Sequence, residues 1–196
     1  LMDYRSSIKV IDATLRDGGL VNEFYFTDEF VRALYEANIR AGVDYMEMGY
    51  KSSKEMFDEN KYGKWKFCDD DDIREIVGDN DTNLKIAVMA DVGRCDYRKD
   101  IVSRSESPID LIRVATYLNT IPAAADMIED AKRKGYEVSC NIMAISNGQE
   151  SDLKVALDIL GKTSADVLYI VDSFGSLYPV QIARIADTYM EFASKY

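Results

Sequence analysis

The 196-residue sequence contains no histidine. That excludes a Ser-His-Asp or Cys-His triad and any His-ligated zinc within the chain. Acid–base work is left to Asp, Glu, Lys, Tyr or Cys. Cysteine is scarce as well. Cys68, Cys95 and Cys140 are odd in number and widely spaced, which reads as reduced cytoplasmic thiols rather than a disulfide framework or a zinc site. Basic residues are in deficit, 24 Lys and Arg against 35 Asp and Glu, for a net charge of −11. Such a chain repels phosphate backbones and anionic lipid, so no nucleic-acid partner and no membrane partner is expected. No apolar run approaches the ~20 residues of a membrane span. The opening residues Leu1–Ser7 lack the apolar core of a signal peptide.

What is present is a regular alternation of short apolar runs and helical patterns. Hydrophobic residues make up 47% of the chain, and the length suits one domain with a sizeable core. Strands are expected at Ile8–Leu15, Val43–Tyr50, Leu84–Asp91, Ile109–Tyr117, Tyr136–Ile145 and Val167–Phe174, with a Gly-rich loop after the first. Helices are expected at Asp28–Ala41, capped by Thr27 and stopped by Gly42, and at Asp69–Val77. Three more follow at Pro122–Lys134, Ser151–Leu160 and Tyr178–Lys195. The polar stretch Lys51–Phe67 reads as a surface loop.

Six β–α units imply a parallel α/β sheet with right-handed crossovers. A doubly wound open sheet and a (β/α)₈ TIM barrel compete. Nearly every predicted strand offers polar groups to one side: Asp12, Thr14 and Arg16, then Glu47, Asp91, Arg113, Ser139 with Asn141, and Asp172. A doubly wound sheet concentrates such groups at one switch point, whereas a barrel gathers them from many strand ends, so the barrel is favoured. In Asp12-Ala-Thr-Leu-Arg16-Asp17-Gly18-Gly19, Asp17 offers hard oxygen to a divalent cation, and Arg16 offers a planar fork to an enolate or carboxylate. An Arg–Asp pair that only pins a turn is the plainer alternative.

This segment resembles the opening signature of the DRE-TIM metallolyases, which include HMG-CoA lyase, the 4-hydroxy-2-oxovalerate aldolases and the isopropylmalate synthases. Gly42-Val-Asp-Tyr-Met-Glu47-Met-Gly49, Ile112-Arg113-Val-Ala-Thr116 and Val171-Asp172-Ser173-Phe-Gly175 are similar to later motifs of that superfamily. The bacterial proteins described as aldolase catalytic domains are the nearest in kind. The resemblance implies a TIM barrel, of which residues 1–196 form the first six βα units as a single domain, with strands seven and eight beyond the chain end. It also implies a metal-dependent lyase that makes or breaks a carbon–carbon bond beside a carbonyl of a small oxo acid or acyl thioester. Asp17 becomes a metal ligand, Arg16 the stabiliser of the enolate, and Glu47 its orienting partner. Asp172 is a further catalytic candidate, with Asn141 and Arg113 as substrate-binding candidates. The cation expected for a full-length protein is magnesium, manganese or zinc, bound weakly or not at all by these residues, so the chain alone is expected to be inactive.

Two positions depart from the pattern. Leu20 and Tyr117 stand where the oxovalerate aldolases carry histidines. A Claisen-type acyltransferase or a non-catalytic, barrel-derived binding protein therefore remains an alternative. A barrel without its last strands exposes edges that further chain or a second copy would cover, so a homo-oligomer is also entertained.

Overall fold

The computed structural model describes residues 8–192. Leu1–Ser7 and the end of the last predicted helix lie outside them. Six strands run in parallel and in sequence order: β1 (Ile11–Asp12), β2 (Tyr45–Tyr50), β3 (Lys85–Asp91), β4 (Leu111–Thr116), β5 (Glu137–Ile142) and β6 (Val167–Tyr169). That order excludes a doubly wound sheet, in which the order reverses about the first strands. The helices are α1 (Thr14–Asn22), α2 (Asp28–Ala41), α3 (Asp70–Val77), α4 (Tyr97–Asp100), α5 (Ile121–Arg133), α6 (Glu150–Leu160) and α7 (Pro179–Phe192). The chain divides into two compact units. One holds the residues to Met89 with Arg104–Leu111; the other holds Ala90–Ser103 and Ile112 onward.

Local signals account for α2. Thr27 accepts a hydrogen bond from the Phe30 N–H at 3.2 Å, and Gly42 closes the helix in the left-handed region. Val31 and Tyr35 are its buried stripe. The first strand is much shorter than the sequence suggests. Thr14 and Arg16 leave it for α1, and the expected Gly-rich loop is helix. Two adjacent glycines oppose a helix by roughly 1 kcal/mol each, yet packing requires one of them. A Cβ on Gly19 would lie 2.1 Å from the Phe24 ring, so the helix can form here only if that position stays bare. The stretch 51–67 is also not wholly surface. Lys64–Lys66 form a 3₁₀ turn in which Trp65 is fully buried. The Trp65 carbonyl oxygen sits 1.9 Å from where a Cβ on Gly49 of β2 would be.

Three aspartates hold the amino ends of the strands in the same way. Asp44 donates its N–H to the Val10 carbonyl and accepts the Val10 N–H on its carboxylate, at 3.1 and 2.9 Å. Asp110 does this with Ile86, at 2.8 Å in both directions. Asp166 repeats it with Val138, again at 2.8 Å in both directions. Each carboxylate also meets a cation: Lys9, Arg104 and Lys132 respectively. The clamps thus tie strands one, three and five to the residue that opens the next strand. The core behind them is apolar, with Met46, Met48, Ile86, Val88, Ile112 and Val138 all inaccessible. Each such side chain contributes about 1.5–3 kcal/mol of burial energy.

Candidate active site

β1 delivers Arg16 and Asp17 on the first turns of α1, and β2 delivers Glu47 from its buried centre. The Arg16 Nε–H donates to Glu47 Oε2 at 3.0 Å, across 31 residues of sequence. An Arg16 Nη1–H donates to Asp17 Oδ1 at 2.5 Å. The three side chains are graded in exposure: Glu47 0%, Arg16 16% and Asp17 68%. Burial of Arg16 works against its charge, but the charge and hydrogen bond of Glu47 outweigh it, with Tyr50 and Asp17 adding. The net effect is a guanidinium held even more firmly in its charged form than usual. Among the described residues two of its five N–H groups are used in these bonds, which leaves three for another anion.

Asp17 was the expected metal ligand. Among the described residues no group of three or more Asp, Glu, Cys or His side chains could hold a metal ion. One exposed carboxylate, already ion-paired, is too few ligands for a hard cation that takes six or more. The described donor set does not fit the group the resemblance implies.

The remaining predicted residues lie in the second unit. Arg113 on β4 is 7% exposed, and its guanidinium lies 4.9 Å from the Tyr169 ring centre. Asn141 on β5 is the register partner of Tyr169, and its Oδ1 is buried with no hydrogen-bond partner among the described residues. Ser139 Oγ, two residues earlier on the same face, is in the same state. Asp172 follows β6 and is half-buried. Its two oxygens accept the N–H groups of Ser176 and Leu177 at 3.1 and 3.0 Å. These and neighbouring amides hold its carboxyl below the usual range, the Leu177 bond first. The next motif residue, Ser173, accepts the Ala144 N–H at 2.9 Å. Asp172 is thus occupied in its own turn, and Ser173 ties that turn to the segment after β5.

Leu20 and Tyr117 are 60% and 53% exposed. Cys140 is buried, as expected of a packing cysteine, and burial pushes its thiol up to about 12. Cys68 is raised further for the same reason. Neither is available as a thiolate near neutral pH. A cavity of about 260 Å³ in the second unit, lined by Ile145, Leu153, Val180 and Arg184 among others, contains none of the predicted site residues. Tyr50, which the sequence reading did not single out, influences the Arg16 guanidinium, and Lys66, also not singled out, has its ammonium 4.8 Å from the Tyr50 ring centre. The available signal was the density of aromatic residues and lysines from Phe57 to Phe67.

Comparison with known proteins bears on family and fold. The chain is 25% identical over 178 residues to a 4-hydroxy-2-oxovalerate aldolase of Geobacillus genomosp. 3, which covers 91% of this chain and 52% of that protein. It is 29% identical over 177 residues to 4-hydroxy-2-oxovalerate aldolase 3 of Rhodococcus jostii, covering 90% and 51%. The chain therefore spans about half the length of the curated relatives it matches. Among solved structures it is similar to the N-terminal domain of a Bacteroides vulgatus protein provisionally assigned as an aldolase. That match has a TM-score of 0.75 at 24% identity and covers 94% of this chain and 61% of that one. It shows the fold: α/β, with the first six βα units of a TIM barrel. The model of the HMGL-like family matches residues 7–194, and the chain belongs to that family.

Proposed function

We propose that this chain supplies the first-strand part of a carbon–carbon lyase site, which forms or cleaves a bond beside the carbonyl of a small oxo acid or acyl thioester. The observation that carries the reading is the Arg16–Glu47 pair. In such a reaction negative charge develops on the carbonyl oxygen as the enolate forms. A guanidinium fixed beforehand in a partly dehydrated site stabilises that charge without reorganising at the moment of reaction. Glu47 sets the fork's orientation, and Asp17 holds a second edge of it. Within the second unit, Asn141 and Arg113 are proposed as ligand-binding residues, since an orphaned buried amide oxygen favours a ligand or an ordered water. Asp172 shapes the turn after β6. Members of the family are generally metal-dependent. Because the described residues do not assemble a cation site, the chemistry proposed for this chain is confined to charge stabilisation by Arg16.

Exchange of the methyl protons of pyruvate and of acetyl-CoA in D₂O, followed by NMR with Mg²⁺ present, tests the reading. Carbon–carbon turnover is not expected of residues 1–196 alone, but proton exchange needs only enolate stabilisation, so the wild-type chain accelerates exchange of one donor above the buffer rate, and the identity of that donor separates oxo acid from thioester. Arg16→Ala loses the acceleration by roughly 10²-fold, the scale for removing one preorganised stabiliser. No exchange with either donor, or an undiminished rate in Arg16→Ala, overturns it. The exposed Leu20 in place of a histidine favours one rival, a binding protein without chemistry. Binding of oxalate with no exchange would identify it.

A further inference from the structure

Lys66 is 6% exposed, although it lies in a stretch that is polar in sequence. Its ammonium stands 4.5 Å from the Phe57 ring centre, 4.8 Å from Tyr50, 5.2 Å from Phe24 and 5.6 Å from Tyr62. The four rings come from three segments: the α1–α2 connection, the last residue of β2, and the loop after it. Phe24 and Tyr50 also meet edge to face, with centres 5.6 Å apart and planes at 88°. The segment is fastened twice more to its neighbours. The Gly63 N–H donates to the Glu23 carbonyl at 2.9 Å, and the Trp65 backbone fills the space above Gly49.

This enclosure adjoins the Arg16 group. The Phe24 ring occupies the space above Gly19, two residues beyond Asp17 on α1. Tyr50 is near enough to contribute to the raised pKa of the Arg16 guanidinium. A residue that only filled the space between rings would be apolar. A buried ammonium is costly unless ring faces or other groups compensate, and ring faces turned to a cation are held in orientation as well as in place. We infer that Lys66 is a positioning residue of the Arg16 site, its ammonium fixing Tyr50 and Phe24 so that α1 presents Arg16 in register with Glu47 on β2. The functional meaning of that role rests on the reading of Arg16 given above; the physical coupling does not.

A double-mutant cycle in urea unfolding tests it. Trp65, the single tryptophan of the chain, is buried beside Lys66 and reports the transition. In the cycle of Lys66→Met with Arg16→Met, the double variant's unfolding constant departs from the product of the single effects by at least about threefold. On a Tyr50→Leu background the departure falls below that threshold. If Lys66→Met does not fold, Phe57→Leu, which removes one ring and keeps the lysine, replaces it in the cycle. Multiplicative effects with Tyr50 intact overturn the inference, and so does coupling that survives Tyr50→Leu. A calorimetric titration with oxalate, a planar dianion shaped like an oxo-acid enolate, reads the consequence at the site. Lys66→Met weakens oxalate by about tenfold or more, while Lys66→Arg, which also sits on aromatic faces, stays within about threefold of wild type. Equal oxalate affinity in wild type and folded Lys66→Met would show a purely structural lysine. If wild type does not bind oxalate at all, the functional reading fails, and the cycle still decides the role of Lys66.

Discussion

Arg16 and Asp172 both follow the carboxyl end of a strand, and both belong to motifs that resemble the same superfamily, yet they are held in opposite ways. Arg16 is gripped from a distance. Its partner Glu47 is 31 residues away, fully buried, and on a different strand. Asp172 is half-buried and gripped locally by amides four and five residues further along. A long-range buried pair cannot form until two strands are in register, so it records the tertiary fold. A local carboxylate–amide turn can form in any chain with the right dihedrals. Motif likeness alone does not separate the two, and the sharpest tests are those in which the two sites respond differently.

Glu47→Ala should give the largest effect. It leaves the Arg16 guanidinium in a mostly buried setting without its main counter-charge, the case in which breaking a pair costs about 3–5 kcal/mol. Arg16 keeps 16% of its side-chain surface and a contact to Asp17, so the expected loss is near the lower end, about 3 kcal/mol. Urea unfolding followed at Trp65 measures it. A loss under about 1 kcal/mol would place Arg16 in solvent and erase the contrast with Asp172. Glu47→Gln, which keeps an acceptor, should cost less than Glu47→Ala.

The elements legible in the sequence are those whose signals are local. The Thr27 cap, the charge spacing of α2 and the Gly42 stop lie within sixteen residues, and both ends of that helix fall where they were expected. The acidic first turn of α3 was equally visible. The α1 helix was not, because Gly18 and Gly19 argue against a helix on propensity, and the reason for Gly19 is a phenylalanine ring that the local sequence does not announce. The Lys66 enclosure was hidden in the same way, since its rings converge from three segments. At the candidate site, the residue types of Arg16, Asp17 and Glu47 were readable from their motifs. The Arg16–Glu47 bond, the exposure of Asp17 and the commitment of Asp172 to its own turn required coordinates.

The aspartate clamps at the amino ends of the strands provide an intermediate test, because the same bond is repeated in three settings. Replacing the carboxylate orphans one strand N–H. Ile86 and Val138 are fully buried, whereas Val10 is 54% exposed and can turn to water. Asp110→Ala should therefore cost most, about 2 kcal/mol, with Asp166→Ala somewhat less because its carboxylate is nearer solvent, and Asp44→Ala under about 1 kcal/mol. Thermal or urea unfolding of the three variants gives the ranking. Equal losses would show that the cation partners, not the strand amides, dominate. The Val10 N–H, followed by Lys9, holds the Asp44 carboxyl below its usual value. Its contribution is complete above the ordinary carboxylate range and is lost as the pH falls through that lowered value.

Asp172→Asn is expected to have the smallest global effect, and its readout is local. The amide N–H groups of Ser176 and Leu177 donate to this carboxylate, so its ionisation should be visible at those two positions. The carboxyl titrates below its usual value because ionised oxygens accept these bonds, with Leu177 first. In wild type the amide proton shifts of Ser176 and Leu177 should therefore hold steady through the ordinary carboxylate range as pH falls, then move together at lower pH as the carboxyl protonates. In Asp172→Asn that step disappears, while the unfolding midpoint stays close to wild type. The outcome would confine Asp172 to its turn. A midpoint at or above the ordinary value would mean that these amides do not favour the ionised carboxylate, and the local half of the contrast with Arg16 would fall.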